Sequence, residues 1–124
     1  MDLTPLVPGG RQIIERYAAS GFRVSGVIYT GSVLVFPERT LPWGPTSARA
    51  ITLESLAAVV EHGAVRILLL GLGRRAPALA PDLRAALRGL GITPEPMDTG
   101  AACRTYNVLL GEDRPVAAGL LLPV

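Results

Sequence analysis

The sequence predicts a single small soluble α/β domain, with a parallel-type sheet flanked by helices and an N-terminal β-hairpin. The second half of the chain alternates strand, helix, strand, helix and strand, which is typical of β-α-β units. Hydrophobic residues make up 49% of the chain and charged residues 18%, so a rich core is available. The 124 residues fit one domain over 1–124, with 1–10 as a loose N-terminal arm.

The first third of the chain carries strand signals. Residues 12–18 form a candidate first strand, and Gly26 bends the β segment that follows. Residues 27–29 and 33–36 flank Thr30-Gly31-Ser32, whose glycine suits a tight turn. We therefore expect these two segments to pair as a hairpin.

A helix and a buried strand follow. Thr52 is a suitable N-cap for a helix over 53–61, whose apolar positions recur at helical spacing, and Gly63 ends it. Residues 65–70 are apolar except for Arg66, which is typical of a strand buried on both faces. We expect this strand to be central in the sheet, with the helices before and after it packed beside it.

A second helix is predicted over 81–90, since a proline and an aspartate open it and Gly91 follows. Its inner face is expected to comprise Leu83, Leu87 and Leu90. Residues 92–98 predict a short strand at or near an edge of the sheet, because its two prolines cannot donate to a ladder.

The last elements are a helix and a strand. Thr99 is expected to cap a helix over 100–110, with Gly111 in the left-handed conformation at its end. Residues 114–122 form the last predicted strand, in which Gly119 is a weak position. The predicted strands and helices thus alternate to the end of the chain.

Charge and composition exclude several classes of function. All 12 basic residues are arginine, but the net charge is only +2 and aromatic residues make up 5%. No basic run with interleaved aromatics is present, so we expect no nucleic-acid partner. No apolar stretch reaches the ~18 residues that a membrane span needs, and no signal segment is recognisable. We therefore expect a cytoplasmic protein that does not insert into a membrane.

Cysteine and histidine usage argues against a metal site or a nucleophile. Cys103 is the sole cysteine, which excludes an internal disulfide and suits a reducing compartment. Its neighbours suggest a packed helix face, so we expect the thiol to be mostly buried and unreactive. With His62 as the sole histidine, neither a zinc site nor a Cys–His pair is expected. We expect no metal and no cofactor.

A glycine-rich segment follows the buried strand. Gly71-Leu72-Gly73-Arg74-Arg75-Ala76 matches the dinucleotide-binding pattern with alanine in the last place. However, Pro77 and Pro81 delay the next helix, so its amides would not adjoin the glycines. We interpret these glycines as residues that turn the chain.

A second candidate site lies between this loop and the third helix. If the strands at 65–70 and 92–98 are parallel neighbours, the loop and the helix start emerge on the same side, and free amides there favour an anion. The candidate ligand-binding residues are Gly71, Gly73, Thr99, Gly100, Arg104 and Asn107. The alternative is that the same residues only cap the helix and pack the core.

The chain also resembles a known family. The residues concerned are 67–73, 83–84, 91–92, the long run 97–110 and 114–118, with upstream support from 26–32 and Trp43. They resemble the small uncharacterised-domain family that includes mitochondrial complex I (NADH:ubiquinone oxidoreductase) assembly factor 3 and its bacterial relatives. The resemblance covers about residues 23–122.

The resemblance implies a three-layer fold with a mixed, largely parallel central sheet, and it implies no agreed enzymatic activity or catalytic residue. We therefore expect a non-enzymatic interaction protein whose partner is a subunit of a membrane complex under assembly. The alternative is a small-molecule or anion-binding domain that uses the site between the Gly71–Gly73 loop and the helix after Thr99. The sequence leaves the oligomeric state open.

Overall fold

The computed structural model describes residues 10–124, so the expected arm lies, apart from Gly10, outside the described residues. The strands are β1 Ile14–Ala18, β2 Gly21–Val24, β3 Val27–Tyr29, β4 Val33–Val35, β5 Thr40–Pro42, β6 Ile67–Gly71, β7 Thr93–Met97 and β8 Val116–Leu120. The α-helices are α1 Ala57–His62, α2 Pro81–Gly89 and α3 Thr99–Gly111. The strands form a three-stranded sheet, β1-β2-β3, and a five-stranded sheet, β5-β4-β8-β6-β7, which confirms the mixed α/β class.

The predicted pairing of 27–29 with 33–36 is wrong. β3 pairs with β2, and β4 pairs with β5 and β8 in the other sheet. The turn that forms instead is Ser25-Gly26, where φ is 43° and 84°, and a type I′ hairpin turn requires positive values of φ at both positions. Ser32 meanwhile donates to the carbonyl of Pro45 at 2.6 Å, where the chain crosses between sheets.

β6 occupies an interior position, as predicted, because it pairs in parallel with β8 on one side and β7 on the other. β7 is one of the two edge strands of this sheet, the other being β5, which also confirms the prediction. The amide of Thr93 donates to the Arg66 carbonyl at 2.8 Å, so the backbone of Thr93 faces β6. Successive residues of a strand face opposite neighbours, so the nitrogens of Pro94 and Pro96 face away from β6, where none of the described strands is paired. The prolines are therefore placed where no donor is needed.

The predicted helix over 53–61 forms instead as a 3-10 turn followed by the shorter α1, and the Thr52 side chain bonds at the turn and not at the start of α1. Thr52 Oγ1 accepts from the Ser55 amide at 3.1 Å, and Ser55 Oγ accepts from the Thr52 amide at 2.9 Å. A 3-10 turn, Glu54–Leu56, leads into α1, and Gly63 ends it with φ of 81°. This reciprocal arrangement satisfies two amides that the helix itself leaves unpaired.

Three details of the later helices differ from the predictions. Leu90 is 47% exposed rather than inward, because α2 ends at Gly89 and Leu90 lies beyond the helical face. Asp98, not Thr99, caps α3: its backbone is extended and its Oδ1 accepts from the Ala101 amide at 2.9 Å. Gly111 is still helical, and Asp113 takes the left-handed conformation, with φ of 57°.

The five-stranded sheet is the middle of three layers. Leu68 and Leu70 of β6 pack with side chains of α1 and α2, whereas Leu69 packs with α3 and the three-stranded sheet. This alternation follows from the two-residue period of a strand. Gly119 in β8 leaves room for Trp43, whose ring lies 2.9 Å from where a Cβ would stand. The three-layer arrangement that the family resemblance implied is confirmed.

Candidate functional site

The loop after β6 and the start of α3 are in direct contact. The Gly73 amide donates to Thr99 Oγ1 at 2.9 Å, and the Thr99 amide donates to the Gly73 carbonyl at 2.9 Å. The Thr99 hydroxyl in turn donates to the Leu121 carbonyl at 2.8 Å. One fully buried side chain therefore links the loop after β6, the start of α3 and the segment after β8.

The two glycines of this loop have packing and conformational roles. A Cβ on Gly71 would stand 2.9 Å from Thr99 Cα and 3.2 Å from Ala102 Cβ, so only glycine allows α3 to lie this close to β6. Gly73 has φ of 89°, a conformation that side chains rarely adopt. This geometry supports the interpretation that the glycines turn the chain and permit close packing.

Tyr17 of β1 lies over the first turn of α3. A Cβ on Gly100 would stand 2.8 Å from the Tyr17 hydroxyl oxygen. Arg104 Nη1, one turn further along α3, donates to the same oxygen at 2.7 Å. The start of α3 is thus covered by a residue from the three-stranded sheet.

Asn107 faces β1 and not the Gly71–Gly73 loop. Its Oδ1 accepts from the Ile14 amide at 3.0 Å, and its Nδ2 donates to the Ile14 carbonyl at 2.8 Å. The side chain therefore extends the hydrogen bonding of an edge strand. It holds the three-stranded sheet against α3.

Four of the six candidate residues lie together: Gly71, Gly73, Thr99 and Gly100. Arg104 is directed toward Tyr17, and Asn107 toward β1. Ligand binding by this set stays a prediction. Sequence reasoning missed Tyr17 because nothing local indicates that β1 reaches α3, whereas Asp98 was detectable as a carboxylate three residues before the amide that it caps.

Two buried ionisable groups lie on the inner face of α3. Cys103 is fully buried, and burial raises the pKa of its thiol to about 12, although Arg104 opposes the shift. Burial also raises the pKa of Tyr106 far above its usual value, and its hydroxyl donates to the Gln12 carbonyl at 3.1 Å. The predicted burial of Cys103 is confirmed.

Among residues 10–124, no helix is long and apolar enough to cross a bilayer. In the same residues, no three His, Cys, Asp or Glu side chains are grouped so that they could hold a metal ion.

The sheet order and the buried Thr99 link define the class of protein. It is a three-layer α/β domain in which two crossover helices lie on opposite faces of the same parallel strand, β6. The family described as "Protein of unknown function (DUF498/DUF598)" matches residues 14–121, and the chain belongs to this family. The family resemblance seen in the sequence is therefore confirmed.

Two kinds of relatives are similar to the chain. An uncharacterised protein of Rhodobacter capsulatus is 38% identical over 121 residues, which cover 96% of this chain and 93% of that protein. The NADH dehydrogenase [ubiquinone] 1 alpha subcomplex assembly factor 3 of Xenopus tropicalis is 36% identical over 111 residues, 89% of this chain and 61% of that protein. The human protein of the same name is 31% identical and is covered to 60%. The chain thus spans about three-fifths of the assembly factors that it matches.

Solved structures show the same fold. An outer membrane protein from Bartonella henselae has a TM-score of 0.84 and 37% identity, with 91% of this chain and 96% of that chain covered. A protein from Bordetella parapertussis has a TM-score of 0.84 and 32% identity, with 93% and 99% covered.

Proposed function

We propose that this chain is a non-enzymatic interaction protein that acts in the assembly of a respiratory membrane complex of the NADH dehydrogenase type. The observation that carries the proposal is its similarity to proteins named as assembly factors of that complex, at 31–36% identity over 111 residues. The similarity extends over 89% of this chain and so includes all three layers of the fold.

The geometry of the candidate site supports an interaction role. The amides of Gly73, Thr99 and Ala101 all donate to partners within the chain. Cys103 and Tyr106 are fully buried. These amides and buried side chains at the start of α3 and along it therefore contribute to the domain's own structure. We assign the recognition of a partner to the outer surfaces of the domain.

The partner in this proposal is a protein subunit of the complex, which the chain binds on the cytoplasmic side of the membrane. Such a factor binds a subunit before its final neighbours arrive and covers surface that would otherwise associate wrongly. Association of this kind needs an exposed docking surface and no bond-making step.

Deleting the gene in the organism that makes this chain tests the proposal. We expect less fully assembled NADH dehydrogenase on native gels, with accumulation of partial complexes, while another respiratory complex in the same membranes serves as the control. Reintroducing the intact gene should restore assembly. Normal amounts of the assembled complex in the deletion strain would contradict the proposal.

A further inference from the structure

The layer that contains α3 is filled on one side of the helix and open on the other. On the filled side, Asn107 holds β1 and the three-stranded sheet. On the open side lies a cleft of about 410 Å³ between α3 and the edge strand β7. Its lining includes Ile67, Glu95, Met97, Thr105, Leu109 and Arg114.

The cleft combines apolar surface with two separated charges. Ile67, Met97 and Leu109 are only partly buried, although each packs against the inner core. Glu95 and Arg114 are exposed, and neither side chain has an ion-pair or hydrogen-bond partner within the described residues 10–124. An occupant would therefore bury apolar side chains and pair with one negative and one positive group.

The two charges have different places along the cleft. Arg114 lies at the end of the cleft where β6 and β7 begin. The carbonyl of the adjoining Pro115 accepts from the amide of Ile67 at 3.1 Å, and Ile67 is opposite Thr93, the first residue of β7. Glu95 lies two residues further along β7, on the outer wall. The two opposite charges therefore distinguish one end of the cleft from the other, so they can set the orientation of an occupant.

The edge beside the cleft is unsuited to strand addition. Pro94 and Pro96 occupy the positions whose nitrogens face outward, so a docked strand would find two donors missing. A helix has no such need, because its backbone groups are paired internally. Helices that pack side by side are about 8–10 Å apart and adjacent strands about 4.8 Å apart, so a helix placed beside α3 on this side would lie over β7.

We propose that this cleft docks an amphipathic helix of a protein partner, with a basic side chain facing Glu95 and an acidic one facing Arg114. The inference rests on the proposed function and deepens it by naming the surface and the chemistry of its occupant. The docked helix completes the α3 layer over β7, and the two opposite charges set its orientation.

Site-specific photo-crosslinking in the producing cells tests this. A benzoylphenylalanine at Thr105, within the cleft, is compared with one at the exposed Ala85 on α2, across the sheet. We expect an adduct from Thr105 only, mapping to a segment with apolar residues at helical spacing and a basic residue among them. Adding Glu95→Arg should lower the adduct yield about tenfold, as a loss of ~1.4 kcal/mol in binding would. Glu61→Arg, a charge reversal at another exposed glutamate, on α1, should leave it unchanged.

Several results would overturn the inference: no adduct from Thr105, equal adducts from both positions, an adduct insensitive to Glu95→Arg, or one at twice the 13.0 kDa mass of the chain, which would indicate a second copy.

The proposed cleft and the proposed function can be contradicted independently of each other. Should deletion impair NADH dehydrogenase assembly while Glu95→Arg restores it like the intact gene, the cleft is wrong and the function stands. Should the Thr105 adduct be a helix of an unrelated protein and deletion have no effect, the function is wrong and the cleft stands.

Discussion

Thr99 and Gly73 exchange two hydrogen bonds, each 2.9 Å long: the Gly73 amide donates to the Thr99 hydroxyl oxygen, and the Thr99 amide donates to the Gly73 carbonyl. The Thr99 hydroxyl also donates to Leu121 at 2.8 Å. A residue that looked like a helix cap is instead the buried link between the ends of three strands.

Replacing Thr99 by valine should therefore be costly. Thr99→Val keeps the shape but leaves the Gly73 amide and the Leu121 carbonyl buried without this partner, for a loss of about 2–4 kcal/mol in the free energy of unfolding. Urea denaturation measures the loss. Thr99→Ser, which keeps the hydroxyl, should lose about 1 kcal/mol. Equal losses for the two variants would contradict this role of the hydroxyl.

The close approach of α3 to β6 predicts that Gly71 does not tolerate a side chain. Because an added Cβ would stand 2.9 Å from Thr99 Cα, a backbone atom, Gly71→Ala should destabilise the fold by about 1–3 kcal/mol. Gly89→Ala is the matched control, since nothing lies within 4 Å of its added Cβ at the end of α2. That control should be neutral or stabilising by up to ~1 kcal/mol in the same urea titration.

The burial of Cys103 predicts a loss of stability in alkali. Its pKa rises from 9.0 to about 12 in the fold, so the unfolded chain releases the thiol proton first. The thiol therefore costs nothing below pH 9, and stability falls by about 1.4 kcal/mol per pH unit as the pH rises from there toward 12. Unfolding free energies at pH 8, 9 and 10 measure the slope.

Cys103→Ala serves as the comparison for this slope, because it removes the titrating group. The variant should lose less stability between pH 9 and pH 10 than the parent chain, by most of the ~1.4 kcal/mol expected for one group. Tyr106, whose pKa is also raised, contributes to both proteins and does not affect the difference. Identical slopes would show that Cys103 ionises in the folded state at its ordinary pKa.

Anion binding between the Gly71–Gly73 loop and α3 makes a separate prediction. If an anion binds there, phosphate raises the melting temperature of the parent chain more than chloride of equal ionic strength, and Arg104→Ala abolishes the difference by removing the guanidinium that otherwise donates to Tyr17. Arg88→Ala, an exposed arginine on α2, is the control and should keep it. Without a phosphate-specific rise, or with equal rises in both variants, the ligand hypothesis is discarded.

Much of the parallel part of the sheet was predictable because its signals are local and strong. The apolar run at 65–70 corresponds to β6, and the prolines of β7 indicated an edge. The hairpin error has an equally definite cause. Ser25-Gly26 and Thr30-Gly31-Ser32 both satisfy turn chemistry, and the choice between them depends on which strands find partners.

The candidate site was predictable in position but not in contacts. Parallel neighbours place the Gly71 loop and the start of α3 on one side of the sheet, and this proximity is observed. The partners of Arg104 and Asn107, however, are Tyr17 and Ile14, which lie more than eighty residues away along the chain. Sequence spacing contains no information about such contacts.

The sequence by itself determined the α/β class, the interior strand, the proline-marked edge and the family. These depend on hydrophobic periodicity, on the missing donors of proline and on residue runs, all of which act over a few positions. Only the tertiary structure decided that Thr99 is buried, and that one side of α3 is covered by β1 while the other is open. Those outcomes depend on which distant surfaces meet, because a buried polar group takes its partner from whatever element packs against it.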